Sequence, residues 1–125
     1  MNLDRCVNVI IVRDRGDVHT LNLECWVDVT VASALGGVYT LKLSDCFKVY
    51  DVIARGGLHI LNLNRCYHMT VVRALGVVHN LYLNRCYNVT DGSTLGGVHT
   101  LDLIHCVNIS VESTLGGVHL LILND

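Results

Sequence analysis

Leucine doublets of the form Leu-x-Leu recur at Leu21–Leu23, Leu41–Leu43, Leu61–Leu63, Leu81–Leu83 and Leu101–Leu103, spaced 20 residues apart. Alternating apolar and polar positions have the period of a β-strand, whose successive side chains face opposite ways. One short strand per repeat is therefore predicted. Written in rows of 20 from Met1, the chain aligns without a gap on the frame Leu-x-Leu-x-x-Cys-x-x-Val-Thr-x-x-x-x-Leu-Gly-Gly-Val-His-Thr, and a further row opens at Leu121. Other apolar columns run through Cys6, Trp26, Cys46, Cys66, Cys86 and Cys106, through Val9, Val29, Val49, Met69, Val89 and Ile109, and through Val18, Val38, Leu58, Val78, Val98 and Val118.

A lone row cannot bury such a stripe, whereas stacked rows bury it continuously with their strands paired in parallel. Strands about 4.8 Å apart, about seven of them, make a slab roughly 30 Å long. Twenty residues per coil leave the far side room only for extended chain or one short helical turn. Glycines at 36–37, 56–57, 96–97 and 116–117 stand just before each returning strand and mark a tight turn or a close backbone approach.

The run Val98-His-Thr-Leu101-Asp-Leu103-Ile-His-Cys106, followed by Val107-Asn108-Ile109, resembles the leucine-rich repeat. The spacing after the cysteine, and the tail Cys86-Tyr-Asn-Val89-Thr90-Asp91, are similar to its cysteine-containing subtype, here shortened to 20 residues and lacking proline. Row two departs from the frame, with Cys25 displaced and Trp26 in the cysteine column. The resemblance implies a repeat solenoid spanning residues 1–125 as a single domain. Its expected form is a leucine-rich-repeat-like right-handed coil with one parallel β-sheet of about seven short strands and little or no α-helix. It also implies a non-catalytic protein–protein interaction or scaffold module that binds through its concave strand face. No F-box-like segment stands before the repeats, so the ubiquitin-ligase receptor role of cysteine-containing repeats does not carry over. Pentapeptide helices share the 20-residue coil, but their five-residue inward period would put the all-glycine Gly36 column and Asp51 and Asp91 inside. Hexapeptide helices would need a shorter coil.

Half the chain is apolar and its net charge is −2 with histidine neutral, which favours a packed core and gives no basic surface for nucleic acid or anionic membrane. The opening Met1-Asn2-Leu3-Asp4-Arg5 lacks the apolar core of a secretion signal. Together with cysteines expected as free thiols, this points to an intracellular, cytoplasmic protein.

The outward strand positions are the candidate binding residues: Asn22, Lys42, Asn62, Tyr82 and Asp102 between the leucines, and Glu24, Asn64 and Asn84 after them. Such an amide-rich face serves either as a contact surface or as a solvated hydrogen-bonded ladder. A second column, His19, Tyr39, His59, His79, His99 and His119, reads as a stacked structural ladder, with metal binding along it as the weaker alternative. The cysteines read as inward-facing thiols, since no Cys-x-x-Cys pair occurs and one turn places them all. Cys25, off its column, is the candidate reactive thiol.

No catalytic residues and no cofactor are expected. The histidines fall seven residues before the cysteines, with no third group placed to orient a base, and the Asp4 and Glu24 pair reads as solvated surface. The glycosylation patterns at Asn88 and Asn108 arise from the repeat. Terminal rows without polar caps make assembly through uncapped edge strands, as a homodimer or filament, the alternative function. Arg15 and Arg55 in a leucine column, and Gly92 and Glu112 in a valine column, are expected to weaken their rows.

Overall fold

The computed structural model of the chain describes residues 19–23, 38–46, 58–70, 72–73, 75–110 and 113–123. Six strands form one sheet in chain order: β1 (Thr20–Asn22), β2 (Thr40–Lys42), β3 (Ile60–Asn62), β4 (Asn80–Tyr82), β5 (Thr100–Asp102) and β6 (Leu120–Ile122). Every neighbour is parallel, and partners lie one repeat apart: Leu21 faces Leu41, then Leu61, Leu81, Leu101 and Leu121. The protein is thus a parallel-strand solenoid with 20-residue coils. The seventh strand expected at the first row lies outside the described residues, as do Cys6, Cys25, Trp26, Arg15, Arg55 and Glu112.

The buried residues follow a shorter period inside each coil. In the fifth row Leu81, Leu83, Cys86, Val89, Leu95 and Val98 are fully buried, and from Leu83 onward inward positions fall three residues apart. Backbone bonds explain the spacing. Cys86 N–H donates to Leu83 O (3.0 Å), Val89 to Cys86 (3.3 Å), Leu95 to Gly92 (3.1 Å) and Val98 to Leu95 (3.1 Å). Each such bond closes a four-residue turn that brings the next apolar side chain inward. The far side of the coil is therefore a succession of turns, tightening to 3-10 geometry at Leu95–Gly97 and Ser113–Gly117, with no α-helix among the described residues.

The first turn after each of β2, β3, β4 and β5 has a left-handed residue at its third position: Asp45 (φ 63°), Arg65 (60°), Arg85 (61°) and His105 (58°). Glycine or asparagine ordinarily fills such a site. The benefit of the conformation is inter-coil bonding: Asp45 N–H reaches Asn64 O (2.9 Å), Arg65 N–H reaches Asn84 O (2.8 Å) and Arg85 N–H reaches Ile104 O (2.8 Å). These bonds carry the ladder past the end of the strands. Arg85→Asn keeps the N–H and removes most of the strain, so it is expected to raise stability by about 1 kcal/mol. A urea midpoint that stays put or falls would refute that strain.

None of the described glycines has positive φ; what Gly76, Gly97 and Gly117 supply within their turns is close approach to the backbone of a neighbouring coil. A Cβ on Gly76 would meet the carbonyl oxygen of Thr94 in the next coil, and one on Gly97 would lie 2.6 Å from Gly76 O. Gly92, expected to weaken its row, is buried against Ile109, whose Cδ1 lies 3.1 Å from where a Cβ would stand.

Candidate binding face and its borders

Leucines 21, 41, 61, 81 and 101 point inward, so the residues on either side of them face outward. The sheet register sets Asn22 beside Lys42, Lys42 beside Asn62, Asn62 beside Tyr82, and Tyr82 beside Asp102. The predicted residues of this column therefore stand side by side. The same alternation adds a column that the sequence reading missed: Thr20, Thr40, Ile60, Asn80 and Thr100, one residue before each leucine. Glu24 lies outside the described residues.

Several polar groups on this face are already committed to the fold. Asn62 Oδ1 accepts from Asn64 N–H (3.0 Å) and from the Ser44 hydroxyl (2.8 Å). Asn64 Oδ1 accepts from Asn84 N–H in the next coil (2.9 Å), and Asp102 Oδ1 accepts from Ile104 N–H (3.0 Å). Asp102 is only 9% exposed, so its carboxylate acts more on its own turn than on solvent. With their oxygens engaged, Asn62 and Asn64 have their amide N–H groups left as the donors for an outside partner.

Beside the strand ends lies a depression of about 470 Å³ lined by Ser44, Asp45, Asn62, Asn64, Arg65, Asn84 and Arg85. Asp45 and Arg65, one coil apart, join fork to fork, Nε to Oδ1 at 2.8 Å and Nη2 to Oδ2 at 2.7 Å. Arg85 forms no ion pair with any described residue.

The opposite border is the histidine column. His19, Tyr39, His59, His79, His99 and His119 stack with ring centroids 4.3–4.7 Å apart and planes within 21° of parallel. Two Nδ1 atoms lie near a polar atom of the following residue: His79 by Asn80 Oδ1 (2.6 Å) and His99 by Thr100 Oγ1 (3.2 Å). Parallel rings carry their remaining nitrogens side by side rather than toward a common point. Among the described residues, no group of three or more His, Cys, Asp or Glu could hold a metal ion.

Removal of water from the His99 ring, and repulsion from His79 and His119, lower its pKa from 6.5. The unfolded chain then takes up the proton first, so this contribution to stability is complete above about pH 6.5 and declines as pH falls below it. Melting temperature is expected to drop from about pH 7 to about pH 5, and His99→Tyr, which copies Tyr39, to flatten the decline. A flat wild-type profile would show that the stack tolerates charge.

Behind the face, each described cysteine thiol donates to the strand-end carbonyl of the preceding coil: Cys46 to Leu23 (3.1 Å), Cys66 to Leu43 (3.0 Å), Cys86 to Leu63 (3.1 Å) and Cys106 to Leu83 (2.8 Å). The Leu43, Leu63 and Leu83 carbonyls also receive the cysteine N–H of their own coil, which occupies both lone pairs. All four thiols are free and buried. Burial, with the Cys46 thiol adding repulsion, pushes Cys66 up to about 12, and burial raises Cys86 and Cys106 as well. The thiolate is the reactive form, so these four are expected to resist Ellman's reagent until the chain unfolds. Rapid labelling mapped to Cys46, Cys66, Cys86 or Cys106 at neutral pH under native conditions would place them outside the core.

No protein-family model, curated protein or solved structure matches this chain. Among the described residues, no helix is long and apolar enough to cross a membrane.

Proposed function

We propose that the chain is a non-catalytic protein-interaction or scaffold module of leucine-rich-repeat type, close to the cysteine-containing subtype, which binds a protein or peptide through its outward strand face. The observation that carries this reading is the unbroken 20-residue register, which repeats Asn22, Lys42, Asn62, Tyr82 and Asp102 on adjacent strands beside a polar depression. Repeat solenoids commonly use extended faces of this kind. The cysteine thiols serve as buried inter-coil donors, which accords with a structural rather than nucleophilic role and with a reducing, intracellular setting. No cofactor, nucleic acid or membrane enters the proposal, and residues 1–125 are taken as one domain.

Selection of peptides from a displayed library, followed by amide shift mapping, tests the reading. Shifts should gather at Asn62, Asn64, Tyr82 and Asn84, and Tyr82→Ala should weaken selected peptides about tenfold, the scale of one buried aromatic anchor. Shifts confined to the far-side turns would contradict it.

A second reading, assembly of copies through edge strands, is favoured by β6 and the residue after it, where Leu120 and Leu123 are each 53% exposed. A strand edge with apolar neighbours is a template for pairing. Light scattering across a concentration series decides it: mass that rises with concentration supports assembly, and constant mass near one chain removes it.

A further inference from the structure

We propose that the depression beside the strand ends is a carboxylate site that takes an acidic peptide segment, with Arg85 as its anchor. This rests on the strand-face reading and specifies the partner's chemistry.

The left-handed column carries its own precedent. Asp45 and Arg65 occupy successive coils and meet fork to fork at 2.7–2.8 Å, so the spacing of this column suits a carboxylate lying one coil before an arginine. Arg85 repeats the position of Arg65 one coil later, but the residue before it in the column is Arg65 itself rather than an aspartate. Arg85 has no ionic partner among the described residues, and it lines the depression together with Asn64 and Asn84. Asn64 Oδ1 is held by Asn84 N–H, so the Asn64 amide keeps N–H groups to offer. With Asp45 matched to Arg65, the lining keeps one uncompensated positive charge.

The site is preorganised. Arg85 has its backbone fixed by the bond from its N–H to Ile104 O (2.8 Å), and Asn84 is tied to the coil before. A guanidinium fork binds carboxylate in two parallel hydrogen bonds, which are stronger than neutral ones. Phosphate would suit the same fork. The chain's net charge of −2, however, opposes a dense polyanion such as nucleic acid more than a short acidic peptide.

The test is calorimetric titration with unlabelled hexaglutamate, with hexaglutamine, oligothymidylate and inorganic phosphate as parallel probes, each at low and near-physiological salt. Arg85→Asn is the decisive variant, because it removes the charge while relieving the left-handed strain, so lost binding cannot be ascribed to unfolding. Arg85→Lys keeps a charge without the fork. Hexaglutamate should bind and weaken with salt, hexaglutamine should not bind, and Arg85→Asn should weaken hexaglutamate about tenfold or more with Arg85→Lys between. Equal binding by wild type and Arg85→Asn, or no hexaglutamate binding at low salt, overturns the site. Oligothymidylate or phosphate binding more tightly than hexaglutamate also overturns it, in favour of a phosphate ligand. Library peptides that shift Tyr82 yet ignore Arg85 would sink this inference while leaving the strand-face reading intact. Peptides that shift neither residue would sink both.

Discussion

Leu81→Ala is expected to cost about 3–4 kcal/mol, a large part of the stability of a small domain. Leu81 is 0% exposed, and its register partners Leu61 and Leu101 are likewise 0% exposed. Truncation opens a cavity between two coils at once, and coils of a solenoid are held mainly by their neighbours. Backbone bonds on both sides, such as Leu63 N–H to Tyr82 O and Leu83 N–H to Asp102 O, restrict how far the gap can close. Leu121→Ala removes the same atoms from a half-buried position with one described neighbouring strand, and should cost about half as much. Urea denaturation of both variants gives the comparison. Equal costs would mean that Leu81 is not sandwiched between coils.

Gly76→Ala should be the most damaging single-methyl addition, at about 2–3 kcal/mol. The added carbon would strike the Thr94 carbonyl, which is backbone and cannot swing aside as a side chain can. The coils must then separate along a line of inter-coil hydrogen bonds. Gly116 occupies the same place in its row, but nothing lies within 4 Å of where its Cβ would be. Gly116→Ala should therefore be neutral or stabilising by about 0.5 kcal/mol through the unfolded chain. Thermal melts of the two alanine variants separate crowding from glycine's backbone freedom, since neither position has positive φ. Similar losses in both would remove the close-approach explanation and favour a general need for glycine.

The coil was legible in the sequence because translation by one repeat leaves the burial of each position unchanged. Leu41, Leu61 and Leu81 meet identical surroundings, so each repeats the same residue. The cysteine column was visible for the same reason. Its chemistry was not: the thiols bond carbonyls 23 residues earlier, a relation across coils that no local spacing exposes. The left-handed turns were hidden because Asp45, Arg65, Arg85 and His105 stand where glycine or asparagine would have announced them. The glycines marked a tight turn or a close backbone approach, and at Gly76 and Gly97 the structure shows the close approach.

The candidate face was half visible. Strand alternation located Asn62 and Tyr82, and the same rule applied backward from each leucine would have added Thr40 and Thr100. That Asn62 and Asn64 use their oxygens on backbone N–H groups depends on side-chain torsion and on the next coil, which spacing does not encode. The depression at Arg85 was not legible from strand alternation, because Arg85 lies in the turn beyond the strand. The missed signal was the succession Asp45, Arg65, Arg85, in which an ion pair is followed by a repeated cation.

The most direct measurement of the coil itself is a set of inter-strand nuclear Overhauser contacts in isotope-labelled protein. Parallel-type contacts should join the backbones around Leu41 and Leu61, and those around Leu61 and Leu81, always 20 residues apart. Antiparallel contacts, or contacts at any other separation, would contradict the stacked coil and with it the binding face built on its strands.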